Sequence, residues 1–502
     1  MLGRLLFLGS LLSALLALIL AFPPGWLLLK SHESFPLVFG TAEVTVPQGG
    51  WRPHLQFFKN SLSETVKEVS VEALKTEYFS HVTPYGEKAQ AAVTAYLAEE
   101  TRVKPMGRDE REWYFDSDWE GFLKLWEKEG GDVVWKPLET VTKETGSRHY
   151  VTQIEGLGVH FMVTEIEGKD ANAPPLGLLL MNGWPSNLHE WLPLLSAWKK
   201  EKDLVPNRPL KIVTVSIPGL GASFSENPTR QFLVTSAAHV IRVLAEQRLA
   251  GLFERYIVCG TDWGALISEM MAIMVAREQG ERKLAGIFHG MAVAASPPHE
   301  LLLFQMHEGV GRILLQGEDE AVVRVFSSKR GAARELIGQF WERSAYQHML
   351  NTRPVGTAMA MGTSPLSFCA LVFEKFYEWS SLGRPDVSKT EREALWRQIA
   401  SVCTMAGANR GMEAGFRYYR ENIPVMYTEL MRTRMPQSVP FALASFPGDP
   451  FSALGPERYL RLRYPSAIQV RRHSEGGHFP SLEVPLLLAT DLRDFVNALL
   501  VG

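Results

Sequence analysis

Apolar and polar positions along the chain follow one period before about residue 150 and another after it. In the earlier stretch, Asp118-Trp-Glu-Gly-Phe-Leu-Lys-Leu-Trp-Glu places Trp119, Phe122, Leu123 and Trp126 at helical spacing. Amphipathic helices are therefore expected through 31–150, with these aromatics as core. Beyond it, Tyr150-Val-Thr-Gln-Ile and Val159-His-Phe-Met-Val alternate as strands about a Glu155-Gly-Leu-Gly158 turn. Leu176-Gly-Leu-Leu-Leu-Met181 and Leu210-Lys-Ile-Val-Thr-Val-Ser216 are unbroken apolar runs, the pattern of parallel strands covered on both faces. Thr235 to Glu246 reads as a helix, Tyr256 to Cys259 as a buried strand, Ala265 to Ala276 as an apolar helix and Gly286 to Ala295 as a strand.

The alternation stops over 297–435, which is helix-rich and carries Met, Tyr and Trp. It resumes with strands at Ser438-Val-Pro-Phe-Ala-Leu-Ala and Ile468-Gln-Val, then a last helix from Pro485 to Leu500. Strands alternating with helices predict an α/β sheet, with an inserted helical cap. The expected divisions are an N-terminal segment at 1–30, a helical cover region at 31–150, the first part of the core at 151–296, the cap at 297–435 and the second part of the core at 436–502.

Residues 5–22 carry no charge, with Arg4 before them and Pro23-Pro24, Trp26 and Lys30 after. That length is at the lower limit for a spanning helix, and its flanks suit a membrane interface. A retained anchor is the expectation, and a cleaved signal peptide is the alternative. Asn227-Pro-Thr is the one Asn-x-Thr sequence, and its proline disqualifies it for glycosylation. With only three cysteines, Cys259, Cys369 and Cys403, this favours a catalytic body on the cytosolic side. Their spacing suggests neither a zinc site nor a disulfide framework.

Composition narrows the partners. At 502 residues, 46% hydrophobic and 21% charged, the chain can bury a large core. A net charge of -3 gives no basic excess for nucleic acid and no acidic tail.

The chemistry centres on Gly260-Thr-Asp-Trp-Gly264. Strand, tight turn and helix, with small residues two before and two after a reactive side chain, make a nucleophile elbow. Here the reactive side chain is Asp262. Attack on carbon by a carboxylate gives an ester whose carbonyl water can attack, which suits epoxide opening or halide displacement. Asn182-Gly-Trp-Pro-Ser186 ends the strand 176–181, where the N–H of Trp184 can join that of Trp263 in holding an oxyanion. Ile217-Pro-Gly-Leu-Gly-Ala-Ser-Phe-Ser225 is expected to floor the site. Asp449 follows a strand in Ser445-Phe-Pro-Gly-Asp-Pro450, and His478 lies on Glu475-Gly-Gly-His-Phe-Pro480. The order nucleophile, acid, histidine is that of the α/β-hydrolases.

On these motifs the chain resembles the microsomal-type epoxide hydrolases, from about residue 100 to the C-terminus. Gly260-Thr-Asp-Trp-Gly264 matches their aspartate elbow, and Asn182-Gly-Trp-Pro-Ser186 is similar to their His-Gly-Trp-Pro-Gly turn. Tyr346-Gln-His-Met-Leu-Asn-Thr-Arg-Pro354 and Arg417-Tyr-Tyr-Arg-Glu-Asn422 resemble the cap segments bearing the ring-opening tyrosines. The resemblance implies an α/β-hydrolase sheet with a cap and catalytic residues Asp262, His478, Asp449, Tyr346 and Tyr419. It further implies oxyanion donors at Trp184 and Trp263, no metal or organic cofactor, and a small lipophilic epoxide as substrate. It also implies attachment to the endoplasmic reticulum, with secretion after cleavage as the alternative. Two departures stand in the oxyanion turn, Asn182 for histidine and Ser186 for glycine. A dehalogenase would use the same aspartate without the paired tyrosines, and a non-catalytic binding protein could keep the fold.

Overall fold

Among the described residues, nine strands form the mixed sheet of this computed structural model. They are β1 (Lys67–Val69), β2 (Arg148–Ile154), β3 (Leu157–Ile166), β4 (Leu176–Met181), β5 (Leu210–Val215), β6 (Tyr256–Gly260), β7 (Leu284–His289), β8 (Phe441–Ser445) and β9 (Ala467–Arg472). Their order across the sheet is β9-β8-β7-β6-β4-β5-β3-β2-β1. The strands from β5 through β4, β6, β7 and β8 to β9 are parallel. β1, β2 and β3 add to β5 as an antiparallel flank. The structure describes residues 30–31, 66–80, 82–98, 116–221, 223, 232–278, 283–290, 344–362, 364–384, 386–408, 411–428, 430, 433–450, 460–461 and 463–499.

The unbroken apolar runs become the sheet's centre. Every residue of β4, β6, β7 and β8 is buried, as expected of strands covered on both faces. β3 differs from its alternating reading, because only Glu165 is exposed along it. Its second face is covered by residues that precede 150, with the Phe79 ring 5.8 Å from that of His160. Lys67–Val69 was not expected as a strand. It pairs with β2 at the sheet edge, where three residues carry no period of their own.

The longer helices described before β2 are α1 (Val82–Ala98), α2 (Asp116–Glu129) and α3 (Asp132–Thr145). On α2, Phe122, Leu123 and Trp126 are buried and Trp119 is half-buried. Between the core strands run α4 (Leu192–Lys200), α5 (Val234–Val243) and α6 (Trp263–Ala276). After β7 come α7 (Pro354–Met361), α8 (Pro365–Trp379), α9 (Lys389–Ala408) and α10 (Gly411–Thr428), and α11 (Pro485–Ala498) ends the described chain. α9 packs on α1, α2, α3, α8 and α10. The rings of Trp119 and Phe122 lie 5.2 and 5.3 Å from Phe373 on α8. The lead-in thus braces the helices that carry one wall of the site described below.

Cys369 on α8 and Cys403 on α9 form a disulfide, with 5.4 Å between their Cα atoms. This corrects the reading that the cysteine spacing suggests no disulfide framework. The pairing comes from α8 packing on α9, which a spacing of 34 residues does not announce. It also removes the cysteine argument for a cytosolic body. Cys259 is buried in β6 as a free thiol. Residues 5–22, residues 291–295 of the expected strand, and 297–343 of the expected cap lie outside the described residues. Among the described residues no single helix is long and apolar enough to cross a membrane.

α6 is buried along its whole length from Trp263 to Ile273, including Glu269. Arg463 answers that carboxylate with two hydrogen bonds, at 2.8 and 2.7 Å, and the Tyr464 hydroxyl donates a third. A buried ion pair of this kind is costly to break, because either partner alone is an uncompensated charge. It fixes the underside of the helix whose N-terminus carries the elbow.

Candidate active site

β6 ends at Gly260 and α6 begins at Trp263, so Thr261 and Asp262 turn the chain. Asp262 sits at φ 49° and ψ -123°, a conformation that side chains other than glycine rarely adopt. Close packing holds it there. A Cβ on Gly264 would lie 2.6 Å from the carbonyl oxygen of Met181, and one on Gly183 would lie 2.2 Å from Asp262 Oδ1. The elbow and the loop after β4 therefore meet backbone to backbone, as only glycines permit. The N–H of Trp184 donates to Asp262 Oδ1 at 2.9 Å. Trp263 directly follows Asp262 at the helix start, where N–H groups have no partner within the helix.

The two departures in the loop after β4 find local partners. Asn182 is buried, and its Nδ2 donates to the Gly183 carbonyl at 3.0 Å. The Ser186 hydroxyl accepts from Gln398 Nε2 at 3.2 Å, which ties the loop to α9.

Asp449 and His478 lie beyond β8 and β9, at the same edge of the sheet as the elbow. His478 Nδ1 is 3.0 Å from Asp449 Oδ1, and His478 Nε2 is 3.6 Å from Asp262 Oδ2. All but Asp262 in this line are buried. The N–H of His478 donates to the Trp379 carbonyl at 2.7 Å, and the Trp379 ring meets the imidazole edge-on at 5.2 Å. Burial works against the imidazolium, but the carboxylates of Asp262 and Asp449 outweigh it and hold the ring up to about 10.

Tyr346 lies in a helical segment at 344–352, and Tyr419 on α10. Their hydroxyls are 3.4 Å apart. The Trp184 ring stacks on Tyr346 at 5.4 Å and meets Tyr419 edge-on at 5.4 Å. The Trp263 ring meets Tyr419 edge-on at 5.2 Å. Burial raises the Tyr419 phenol well above its usual range, and Tyr346 and the Asp262 charge add to this, so it stays a donor. The neighbouring Tyr418 is spoken for, since its hydroxyl donates to the Pro218 carbonyl at 2.7 Å. That bond also pins α10 to the loop after β5.

The structure thus draws Asp262, His478, Asp449, Tyr346, Tyr419, Trp184 and Trp263 into one continuous set of contacts. It adds residues that the sequence reading missed. Glu190 is buried and accepts from Thr261 Oγ1 at 3.3 Å and Ser481 Oγ at 3.1 Å, joining three loops. Glu483 accepts from the N–H groups of Ser381 at 2.6 Å and Phe479 at 3.1 Å, joining the histidine loop to the end of α8. Burial pushes both carboxyls up to about 7 despite these bonds. The only advance signal for Glu190 is a carboxylate set among apolar residues in Leu188-His-Glu-Trp191. Among the described residues no cluster of three or more His, Cys, Asp or Glu side chains is arranged to hold a metal ion.

No family model matches the chain. It is 27% identical over 354 residues to epoxide hydrolase 1 of Oryctolagus cuniculus, covering 70% of this chain and 74% of that one. It is 29% identical over 358 residues to juvenile hormone epoxide hydrolase of Bombyx mori, covering 68% and 70%. The chain resembles the epoxide hydrolases. The crystal structure of the Bombyx mori juvenile hormone epoxide hydrolase superposes with a TM-score of 0.66 at 21% identity, over 88% of this chain and 96% of that one. The Aspergillus niger epoxide hydrolase structure gives 0.59 at 20% identity, over 88% and 97%. With the strand order above, these likenesses establish the α/β-hydrolase fold.

The two anions around His478 set its pH behaviour. In the free protein its imidazole is expected to titrate well above the ordinary 6.5, toward about 10. In Asp262→Asn it should titrate lower, because the protonated ring loses one anionic neighbour. Histidine-selective NMR reads both, and an identical titration in the variant would show that the Asp262 charge does not act on the ring.

Proposed function

We propose that this chain hydrolyses a lipophilic epoxide to a vicinal diol through an ester on Asp262. One arrangement carries the reading. The Asp262 carboxylate has Oδ1 on the Trp184 N–H and Oδ2 facing His478, in a site that also holds two tyrosine hydroxyls 3.4 Å apart. Asp262 attacks an epoxide carbon opposite the breaking C–O bond, and Tyr346 and Tyr419 hydrogen-bond the oxygen, which takes one proton from the pair. An oxygen leaving group takes up a proton as it departs, whereas a halide needs none. The paired phenols therefore fit an epoxide better than an alkyl halide.

The second step needs a base. His478, oriented by Asp449, takes a proton from water as the water oxygen attacks the ester carbonyl. The N–H groups of Trp184 and Trp263 hold the resulting oxyanion. Collapse frees the diol and the carboxylate, and His478 keeps the proton taken from water, beside the restored Asp262 anion. Esterification also removes the negative charge of Asp262, one of the two anions that keep His478 protonated. The imidazolium then gives its proton to solvent, from which the tyrosinate recovers one, and becomes a base when the ester has formed. Side chains and main-chain donors carry every step.

The region 297–435 serves as the cap that brings both tyrosines over the core. The charge-free run at 5–22 anchors the body to the endoplasmic reticulum membrane. Full-length protein should stay with membranes through alkaline carbonate washing, while a chain starting at residue 31 should be released. Release of the full-length chain, or a mature form starting after about residue 22, would overturn the anchor.

The hydrolase reading is tested by His478→Gln. This variant should still open an epoxide such as styrene oxide but hold the product on Asp262. Intact-protein mass spectrometry should show a stable adduct, mapped to the peptide containing Asp262 and absent in Asp262→Ala. A variant that releases diol at the parent rate, or an adduct elsewhere, would contradict the scheme.

A further inference from the structure

The inward face of α8 is apolar except at one position. Phe368, Val372, Phe376 and Trp379 are buried, and Lys375 is buried among them, 4% exposed. Its ammonium lies 5.0 Å from the centroid of the Tyr346 ring and 5.5 Å from that of Trp379. Both fall within the range in which a cation is attracted to an aromatic face. On the other side, Lys375 Nζ is 3.1 Å from Glu378 Oε2 and 4.0 Å from Glu374 Oε2. The two glutamates are more exposed than the lysine, with side chains 22% and 45% accessible. The cation is thus tethered by carboxylates on its own helix and presented to the rings on the site wall.

A structural reason alone is a poor fit for this residue. Burying an ammonium costs free energy that a pair with partly exposed carboxylates only partly offsets. A methionine or leucine would fill the same space on an apolar face without that cost. What only the cation supplies is positive potential at the Tyr346 ring. Tyr346 and Tyr419 also differ in surroundings. Tyr419 is held protonated by its burial first, then by the Tyr346 ring and the Asp262 charge beside it. Tyr346 has Lys375 over its ring, and its hydroxyl accepts from Gln347 Nε2 at 3.2 Å.

We propose that Lys375 acts through Tyr346 in ring opening, its ammonium over the phenol stabilising the charge left on Tyr346 when that hydroxyl protonates the epoxide oxygen. The inference rests on the hydrolase reading above and divides the labour of the two tyrosines. As Asp262 Oδ2 bonds to carbon and the C–O bond breaks, the Tyr346 proton passes to the oxygen and its electron pair stays on the phenolate. Tyr419 contributes a hydrogen bond and keeps its proton. Lys375 keeps its proton throughout and touches neither substrate nor nucleophile, so it is a positioning residue for the acid.

The two half-reactions separate this role from a structural one, because ester hydrolysis does not use the tyrosines. Full-length Lys375→Met and Lys375→Arg are compared with the parent by rapid-quench mass spectrometry, with styrene oxide as probe. Lys375→Met should form the Asp262 ester about thirtyfold more slowly, the size of a desolvated cation–π contact expressed as a rate. Its ester hydrolysis should be unchanged, and Lys375→Arg should recover most of the lost rate. Should the methionine variant not fold, Lys375→Gln carries the same comparison. Ester formation at the parent rate in Lys375→Met would overturn the role of Lys375 while leaving the hydrolase reading intact. Equal slowing of both steps, with no recovery in Lys375→Arg, would assign the residue to packing and overturn it too. A parent protein that converts no epoxide would overturn the hydrolase reading and this inference together.

Discussion

The site depends first on one unfavourable backbone conformation. Asp262 at φ 49° costs on the order of 1–3 kcal/mol, and the surrounding structure holds it there. β6 and α6 approach closely at Gly260, and α6 packs on the end of β4 at Gly264, too tightly for the chain to turn more gently. The buried Arg463–Glu269 pair fixes the helix from below. The result is a carboxylate raised at the carboxyl ends of the parallel strands. One oxygen reaches a main-chain donor and the other a buried histidine. Every other functional group is placed relative to that carboxylate. Trp184 comes from the loop after β4, Asp449 and His478 from the loops after β8 and β9, and the tyrosines from the helices between β7 and β8.

Charge ties these positions together. A buried imidazole between two carboxylates is stabilised in its protonated form, which is the wrong state for a base. In the proposed scheme the first chemical step corrects this by turning one carboxylate into a neutral ester. The same logic runs through the tyrosine pair. In the proposed scheme Tyr419, buried beside the nucleophile's charge, holds its proton, and Tyr346, with Lys375 over its ring, gives its proton to the epoxide oxygen. Around this centre, Glu190 and Glu483 bind the loops to one another with hydrogen bonds to neutral donors.

What the chain made legible was local. β4, β6 and β8 are unbroken apolar runs, and the elbow is five consecutive residues whose strand, turn and helix can be read without any partner. Asp262, Asp449 and His478 could be placed because each follows a strand. β3 was misread because its second face is covered by residues such as Phe79, more than seventy positions away in the sequence. β1 was missed because three residues at an edge have no pattern. The cysteine pair depends on how two helices pack. Tyr346 and Tyr419 were chosen from 13 tyrosines only through a resemblance, and what sets Tyr419 apart from Tyr418 is the partner of each hydroxyl. Lys375 was invisible as anything but a charge in an apolar run, since its meaning lies in the ring it faces.

The central claim is that the carboxylate of Asp262, not water, attacks the epoxide. A single turnover in oxygen-18 water, with enzyme in excess over substrate, tests it most directly. The account predicts that the first diol leaves unlabelled and that one heavy oxygen is found in the Asp262 carboxylate on peptide mapping. Heavy oxygen in that first diol, with none on Asp262, would mean that water opens the ring itself and would contradict the account.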